Sequence, residues 1–197
     1  MKNRRRSAAQ KILDELDGRS IVLLGMMGCG KSAIGKMLAR KLGLEFKDAD
    51  AEIEEAAGRS VAEIFEEFGE DEFRRLETRV IDRVLNEGPV LLALGGGAFM
   101  SEETRKTVAE KGLSVWIRAD IELLLERVGR RPGKRPLLRT GNPREILANL
   151  LLKREPVYAL ADIHVHSKGG TKAEMRDRVM AAIQSRFSDV KEDIATR

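Results

Sequence analysis

The sequence predicts an α/β fold of three layers, α/β/α, in which a central parallel sheet of five strands is covered by helices on both faces. Three observations carry that expectation. Short apolar runs alternate with longer helical stretches, the pattern of strand–helix–strand units. The first run, Ile21-Val22-Leu23-Leu24, is apolar without interruption, as a strand buried on both faces must be. The most unusual segments, at 25–32, 48–50 and 95–97, all fall at the C-terminal ends of expected strands, where ligands of parallel sheets bind.

Taken in order, residues 1–19 read as a charged N-terminal extension with one amphipathic helical stretch at Ala8–Leu16. One domain is expected over 20–187, followed by a polar C-terminal tail at 188–197. After the strand at 21–24, Ile34, Leu38 and Leu42 recur at helical spacing from Ser32 onward. Glu45-Phe46-Lys47 is a second, weaker strand. Ser60-x-x-Glu63 is a capping box opening a helix with Ile64, Phe65 and Phe68, and a longer helix runs from about Glu70 to Leu85, stopped by Gly88-Pro89. Val90–Leu94 is the third strand, Ser101–Lys111 a helix, and Leu113–Ile117 the fourth strand. Asp120 caps a helix ending near Val128. Residues 129–141 lack hydrophobic period and read as a mobile lid. Asn142-Pro143-Arg144-Glu145 opens another helix, with Arg154 expected at its end. A last strand at Ile163–His166 and a helix over 172–187 complete the pattern.

Composition narrows the function. The 197 residues are 42% hydrophobic and 35% charged, with a formal net charge of +4. That charge is modest, and no nucleic-acid-binding module accompanies it. Basic residues concentrate at Lys2–Arg6 and between Arg127 and Arg144, and the second run suits an anionic ligand. A single cysteine, Cys29, excludes an intramolecular disulfide. No apolar run is long enough to span a bilayer, and acids interrupt the basic start before any signal-peptide core. A cytoplasmic monomer is expected, with a small-molecule substrate and neither nucleic acid nor membrane as partner. His164 and His166 share one strand face but lack a third ligand, and read as ordinary face residues.

Gly25-Met26-Met27-Gly28-Cys29-Gly30-Lys31-Ser32 matches G-x-x-x-x-G-K-[ST], between a strand and a helix. This is a P-loop. Its glycines let backbone N–H groups face phosphate oxygens, and the following helix adds its positive end. Gly28, Cys29, Gly30, Lys31, Ser32 and Ala33 are therefore the expected ATP contacts. Lys31 reaches the β- and γ-phosphates, and the Ser32 hydroxyl ligates Mg²⁺. Cys29 reads as a small loop residue whose thiol Lys31 and the helix end would activate.

Asp48-Ala49-Asp50 places two diverging carboxylates at a strand end beside that loop. One suits the metal and the other a phosphoryl-acceptor hydroxyl. Gly95-Gly96-Gly97 offers backbone without side chains to a ligand. Arg74 and Arg154 are further candidates, with a surface ion pair as the plainer reading of each.

The phosphate loop, Asp48-x-Asp50, Gly69-Glu70-x-x-Phe73-Arg74, Gly95-Gly96-Gly97, Arg135-Pro136-Leu137-Leu138 and Arg154-x-Pro156-x-Tyr158 occur in the order and approximate spacing of shikimate kinases. The chain resembles that family from about Ile21 to Tyr158. The resemblance implies transfer of the ATP γ-phosphoryl group to the 3-hydroxyl of shikimate, in aromatic amino-acid biosynthesis. It implies that Asp50 contacts the acceptor hydroxyls and that Asp48 supports the Mg²⁺ shell. Arg74 and Arg154 then hold the shikimate carboxylate, and the backbone of Gly95, Gly96 and Gly97 lines the site. It also implies that Arg135 in the lid reaches the transferring phosphoryl, and that Arg127 stacks on adenine. Lys31, Asp50 and Arg135 form the expected catalytic set. Ala49 departs from the hydroxyl residue common between the two aspartates, and the adenine-contacting stretch near His166–Gly169 aligns poorly.

The alternatives are a gluconate or nucleoside monophosphate kinase, and a non-catalytic ATP-binding regulatory module. The former share the loop but not the ordered set. The latter has no use for an acceptor-orienting acid. No Asn-Lys-x-Asp motif points to a GTPase.

Overall fold

A computed structural model describes residues 7–130 and 141–195. The chain runs α1 (Ala8–Leu16), β1 (Ser20–Leu24), α2 (Lys31–Leu42), β2 (Glu45–Asp48), α3 (Ala49–Ala57), α4 (Val61–Asn86) and β3 (Val90–Ala93). A 3₁₀ turn (Ala98–Met100) leads to α5 (Glu102–Lys111), β4 (Gly112–Ala119), α6 (Ile121–Gly129), α7 (Pro143–Tyr158), β5 (Ile163–Ser167) and α8 (Lys172–Ala195). All strand pairs are parallel, in the order β2-β3-β1-β4-β5.

That order follows from right-handed crossovers. The β1–α2–β2 unit moves one way along the sheet, and β3–α5–β4 moves the other, so their helices fall on opposite faces. Contacts agree: α1, α2 and α8 pack together on one side, while α3, α4 and α5 form a linked layer on the other. Strands β1 and β3 are fully buried, as their unbroken apolar runs require. The crossover direction reverses at β1 and β3, which opens a crevice at their C-terminal ends. Leu23↔Ala93 is the last paired register there, and Leu94 N donates to Leu23 O just beyond it.

Local signals act as expected at several ends. Ser60 and Glu63 form the capping box, and Asn142 Oδ1 caps α7 through Arg144 N with Pro143 at the first helical position. α4 contains a non-helical Gly69 (φ 78°, ψ 178°), which divides it into the two helices the sequence predicts.

Other features differ. α3 was not foreseen: Asp48 closes β2 and its side chain at once accepts from Asp50 N, so the Asp-x-Asp segment is also a helix start. Arg154 does not end α7, which continues through an exposed Pro156 to Tyr158. Asp120 makes no side-chain cap, since its carboxylate lies 3.0 Å from His166 Nε2 instead. α1 is no appendage, because Ile12 and Leu16 are buried (1% and 2% exposed) within the core beside α2 and α8. α8 runs on to Ala195, past its expected end. Residues 131–140 of the expected lid, Arg135 among them, lie outside the described residues. No helix among the described residues is long and apolar enough to cross a membrane.

Candidate active site

The loop after β1 turns under α2 through Gly25, Gly28 and Gly30, all at positive φ (141°, 83° and 108°). Gly30 is the N-cap of α2, and no side chain there covers the helix end, which leaves its N–H groups to an anion. Gly25 is crowded as well: a Cβ there would lie 2.5 Å from Ile117 O. Lys31 Nζ donates to Gly25 O (2.7 Å) and Met26 O (3.2 Å), so its charge is held above the loop's own carbonyls. Ala33 sits in the first turn of α2, half-buried.

Two further residues pack against the loop itself. Cys29 is wholly buried, with its sulfur 3.9 Å from Lys31 Nζ, so the thiol packs beneath the loop rather than facing a nucleotide. Arg127 donates from Nη1 to Cys29 O (3.0 Å) and Gly28 O (3.4 Å), with Ser167 Oγ at 3.5 Å. It therefore braces the loop from α6 and ties it to the end of β5.

Ser32 Oγ donates to Asp48 Oδ2 at 2.7 Å. A hydroxyl and a carboxylate in contact at the mouth of a phosphate loop are hard oxygen donors, the set Mg²⁺ takes with phosphate and water. The residues present thus fit that ion. Asp50 diverges from Asp48, as the sequence suggests, and turns towards the glycine triplet.

That triplet gathers the rest. A Cβ on Gly95 would lie 2.8 Å from both Asp50 Oδ1 and Glu77 Oε1. One on Gly96 would meet Arg154 Nη1 at 3.0 Å, and one on Gly97 would meet the Arg74 guanidinium at 2.6–2.7 Å. A side chain at any of the three would push these charged groups from their present places. Two acids, two arginines and the phosphate loop therefore converge on a single crevice, with Gly25 O 4.0 Å from the Gly96 Cβ position.

Electrostatics in the crevice is uneven. Asp50 opens to solvent on one side, yet the flanking protein and the Asp48 charge hold its carboxyl above the usual range against Lys31 and Arg74. Arg74 Nη1 donates to Glu77 Oε2 at 2.5 Å, while Nε and Nη2 reach Glu70 Oε1 at 3.3 and 3.2 Å. Burial works against the Arg74 charge, but Glu77 and Glu70 carry its pKa above the ordinary value. Glu77 is only 2% exposed, and its Oε1 has no hydrogen-bond partner among the described residues. Burial pushes its carboxyl up, and Asp50 adds to that effect against the pull of Arg74 and Arg154. Arg154 is itself buried (9% exposed), which sets aside the surface-pair reading.

The sequence reading missed two residues here. Glu77 lies three positions after Arg74, the spacing of facing side chains on a helix, and that signal was available. Tyr158 stands in the motif with Arg154 but had no role assigned. His164 Nε2 lies 3.1 and 3.0 Å from Ala159 O and Ala161 O, and His166 Nε2 lies 3.0 Å from Asp120 Oδ1. Among the described residues no group of three His, Cys, Asp or Glu side chains fits an ion.

A phosphate loop at the switch point of a five-stranded parallel sheet, facing an acid and two arginines, defines an ATP-dependent P-loop kinase of a small molecule. The family model described as shikimate kinase matches residues 27–184. The chain belongs to the shikimate kinase family. Shikimate kinase of Brucella canis is 52% identical over 157 residues, covering 80% of this chain and 78% of its own. That of Bradyrhizobium diazoefficiens is 54% identical over 157 residues, covering 80% and 75%. The structure of shikimate kinase from Acinetobacter baumannii in complex with shikimate aligns with a TM-score of 0.82 at 34% identity, over 88% of this chain and 97% of that one.

Proposed function

We propose that the protein transfers the γ-phosphoryl group of ATP to the 3-hydroxyl of shikimate, giving shikimate 3-phosphate and ADP. The observation that carries this reading is the convergence of Asp50, Arg74 and Arg154 on Gly95-Gly96-Gly97, next to the phosphate loop. Shikimate has one carboxylate and several hydroxyls. It needs cationic forks at one end and a hydroxyl-binding acid at the other, and the crevice has that polarity.

In this reading the backbone of Gly28, Cys29, Gly30, Lys31, Ser32 and Ala33 holds the nucleotide phosphates. Lys31 exchanges its loop carbonyls for phosphate oxygens, and it favours the charge that develops on the transferring group. Asp50 orients the acceptor hydroxyl and takes its proton, a role that its raised proton affinity suits. Arg74 and Arg154 hold the substrate carboxylate, so the hydroxyl arrives in line with the phosphoryl group. Ser32 and Asp48 hold Mg²⁺, which when bound neutralises phosphate charge. Arg127 fixes the loop on the adenine side. Arg135, outside the described residues, is assigned to the phosphoryl group by the resemblance of Arg135-Pro136-Leu137-Leu138 to the family's pattern. The protein is taken to work as a monomer in the cytoplasm, and light scattering checks the oligomeric state.

The test is coupled detection of ADP release with shikimate, gluconate, AMP or no acceptor. Turnover with shikimate alone is expected. Turnover with gluconate or AMP at comparable kcat/KM would overturn the acceptor, and ATP binding without turnover on any of them would leave a binding module.

A further inference from the structure

Tyr158 is among the largest fully buried side chains of the protein, at 1% exposure, and no step of the reaction above uses it. Its hydroxyl donates to Gly96 O. Its ring packs on Trp116 of β4 (centroids 5.9 Å apart, 57° between planes), and Trp116 meets His164 edge-on at 5.3 Å. Trp116 in turn pairs in register with Leu24, the last residue of β1 before the phosphate loop.

Tyr158 lies four residues after Arg154 on α7, so the two side chains share a helix face. The Arg154 guanidinium lies beside that hydrogen bond: its Nη1 is 3.0 Å from the Gly96 Cβ position, and its positive charge pulls the phenol's proton affinity down. Burial pushes the phenol up to about 12, although Arg154 opposes this, so the hydroxyl keeps its donor proton at any working pH. A glycine run has no side chains to hold its peptide planes. Fixing the Gly96 carbonyl fixes the plane it belongs to, and in a trans peptide the Gly97 N–H then points the opposite way.

We propose that Tyr158 is a positioning residue of the acceptor site, a buried strut that sets the Gly96–Gly97 peptide and the Arg154 guanidinium together for the acceptor's carboxylate. The strut's hydrogen bond goes to the acceptor turn, while the metal donors Ser32 and Asp48 bond to each other. The inference rests on the shikimate reading and concerns the acceptor half of the site alone.

Tyr158→Phe removes the hydroxyl and keeps the ring. The loss of one buried hydrogen bond predicts a rise in KM for shikimate of roughly ten-fold. KM for ATP should stay within about two-fold, and kcat should fall less than the shikimate KM rises, because the lost contact acts on acceptor placement. An unchanged shikimate KM, or equal changes in both KM values, overturns the strut while shikimate-dependent turnover of the unmodified protein upholds the activity. If the unmodified protein shows no such turnover, both readings fall. If Tyr158→Phe does not fold, Trp116→Phe carries the test: it loosens the brace and keeps the phenol, and again only the shikimate KM should rise. An unchanged shikimate KM in that variant overturns the strut.

Discussion

Arg74 meets Glu77 inside the protein and Glu70 at its surface, and the two contacts do different things. The Glu70 contact is exposed, of the kind worth about 0–1 kcal/mol. The Glu77 contact is short, buried on the carboxylate side, and aims the guanidinium at Gly97. Its second oxygen has no partner among the described residues, and that orphan explains why burial outweighs the arginine and leaves the Glu77 carboxyl with a raised proton affinity. The sign follows from linkage. A carboxyl whose folded pKa lies above its unfolded value of about 4.3 has no effect below that value, where both states are protonated. The penalty develops as pH rises through the folded pKa and is full above it. The raised proton affinity of Glu77 therefore takes stability away as pH rises, while its side chain aims Arg74. Glu77→Gln should unfold at the same or a higher temperature than the parent at pH 8, with the difference vanishing near pH 4, and should bind shikimate more weakly. Thermal melts at both pH values with shikimate titration check this, and a clear loss of stability at pH 8 would contradict it.

At the scale of elements, legibility tracked how local each signal is. The phosphate loop, the capping box at Ser60 and the proline-led start of α7 depend on neighbours within one turn, and they lie where the sequence places them. The buried strands read from apolar runs alone. α3 was lost because Asp48-Ala49-Asp50 carries two messages, a ligand pair and a helix cap, and only the first was taken. The i,i+3 spacing of Arg74 and Glu77 was legible and not used, whereas Tyr158 acts through a residue distant in sequence, Gly96, and no local pattern reveals that contact. The same holds for α1. Its apolar face is short, yet Ile12 and Leu16 are buried against a layer assembled from α2 and α8. Ile12→Ala should cost about 2–5 kcal/mol through lost burial and the cavity left behind. At about 2–4 °C per kcal/mol for a chain of this size, the melting temperature should fall by roughly 4–20 °C. kcat at 25 °C should not change, because α1 touches none of the crevice. An unchanged melting temperature would show that α1 does not dock in solution.

For the whole molecule, the site spans the point where the fold changes direction. The phosphate loop leaves β1, and the acceptor groups hang on the turn after β3 with arginines from α4 and α7. Ligands that bridge these parts bind only the folded chain, so each should stabilise it by mass action. At a concentration one hundred times its dissociation constant, a ligand adds about 2.7 kcal/mol. That corresponds to a rise of roughly 5–11 °C in melting temperature. A non-hydrolysable ATP analogue with Mg²⁺ and shikimate should each produce such a shift. The two halves should then separate by mutation. Arg74→Ala or Arg154→Ala removes charge-assisted hydrogen bonds worth about 1.5–3 kcal/mol, a loss of roughly 10- to 150-fold in affinity, and should abolish most of the shikimate shift at that concentration. Lysine at either position should restore only part, since a point charge lacks the planar fork. The nucleotide shift should persist in these variants. Lys31→Ala should show the converse, a smaller nucleotide shift with the shikimate shift kept, and a loss of kcat beyond the loss of nucleotide affinity. Full shikimate shifts in both folded arginine variants would mean that the crevice over Gly95-Gly96-Gly97 grips its acceptor by groups other than Arg74 and Arg154.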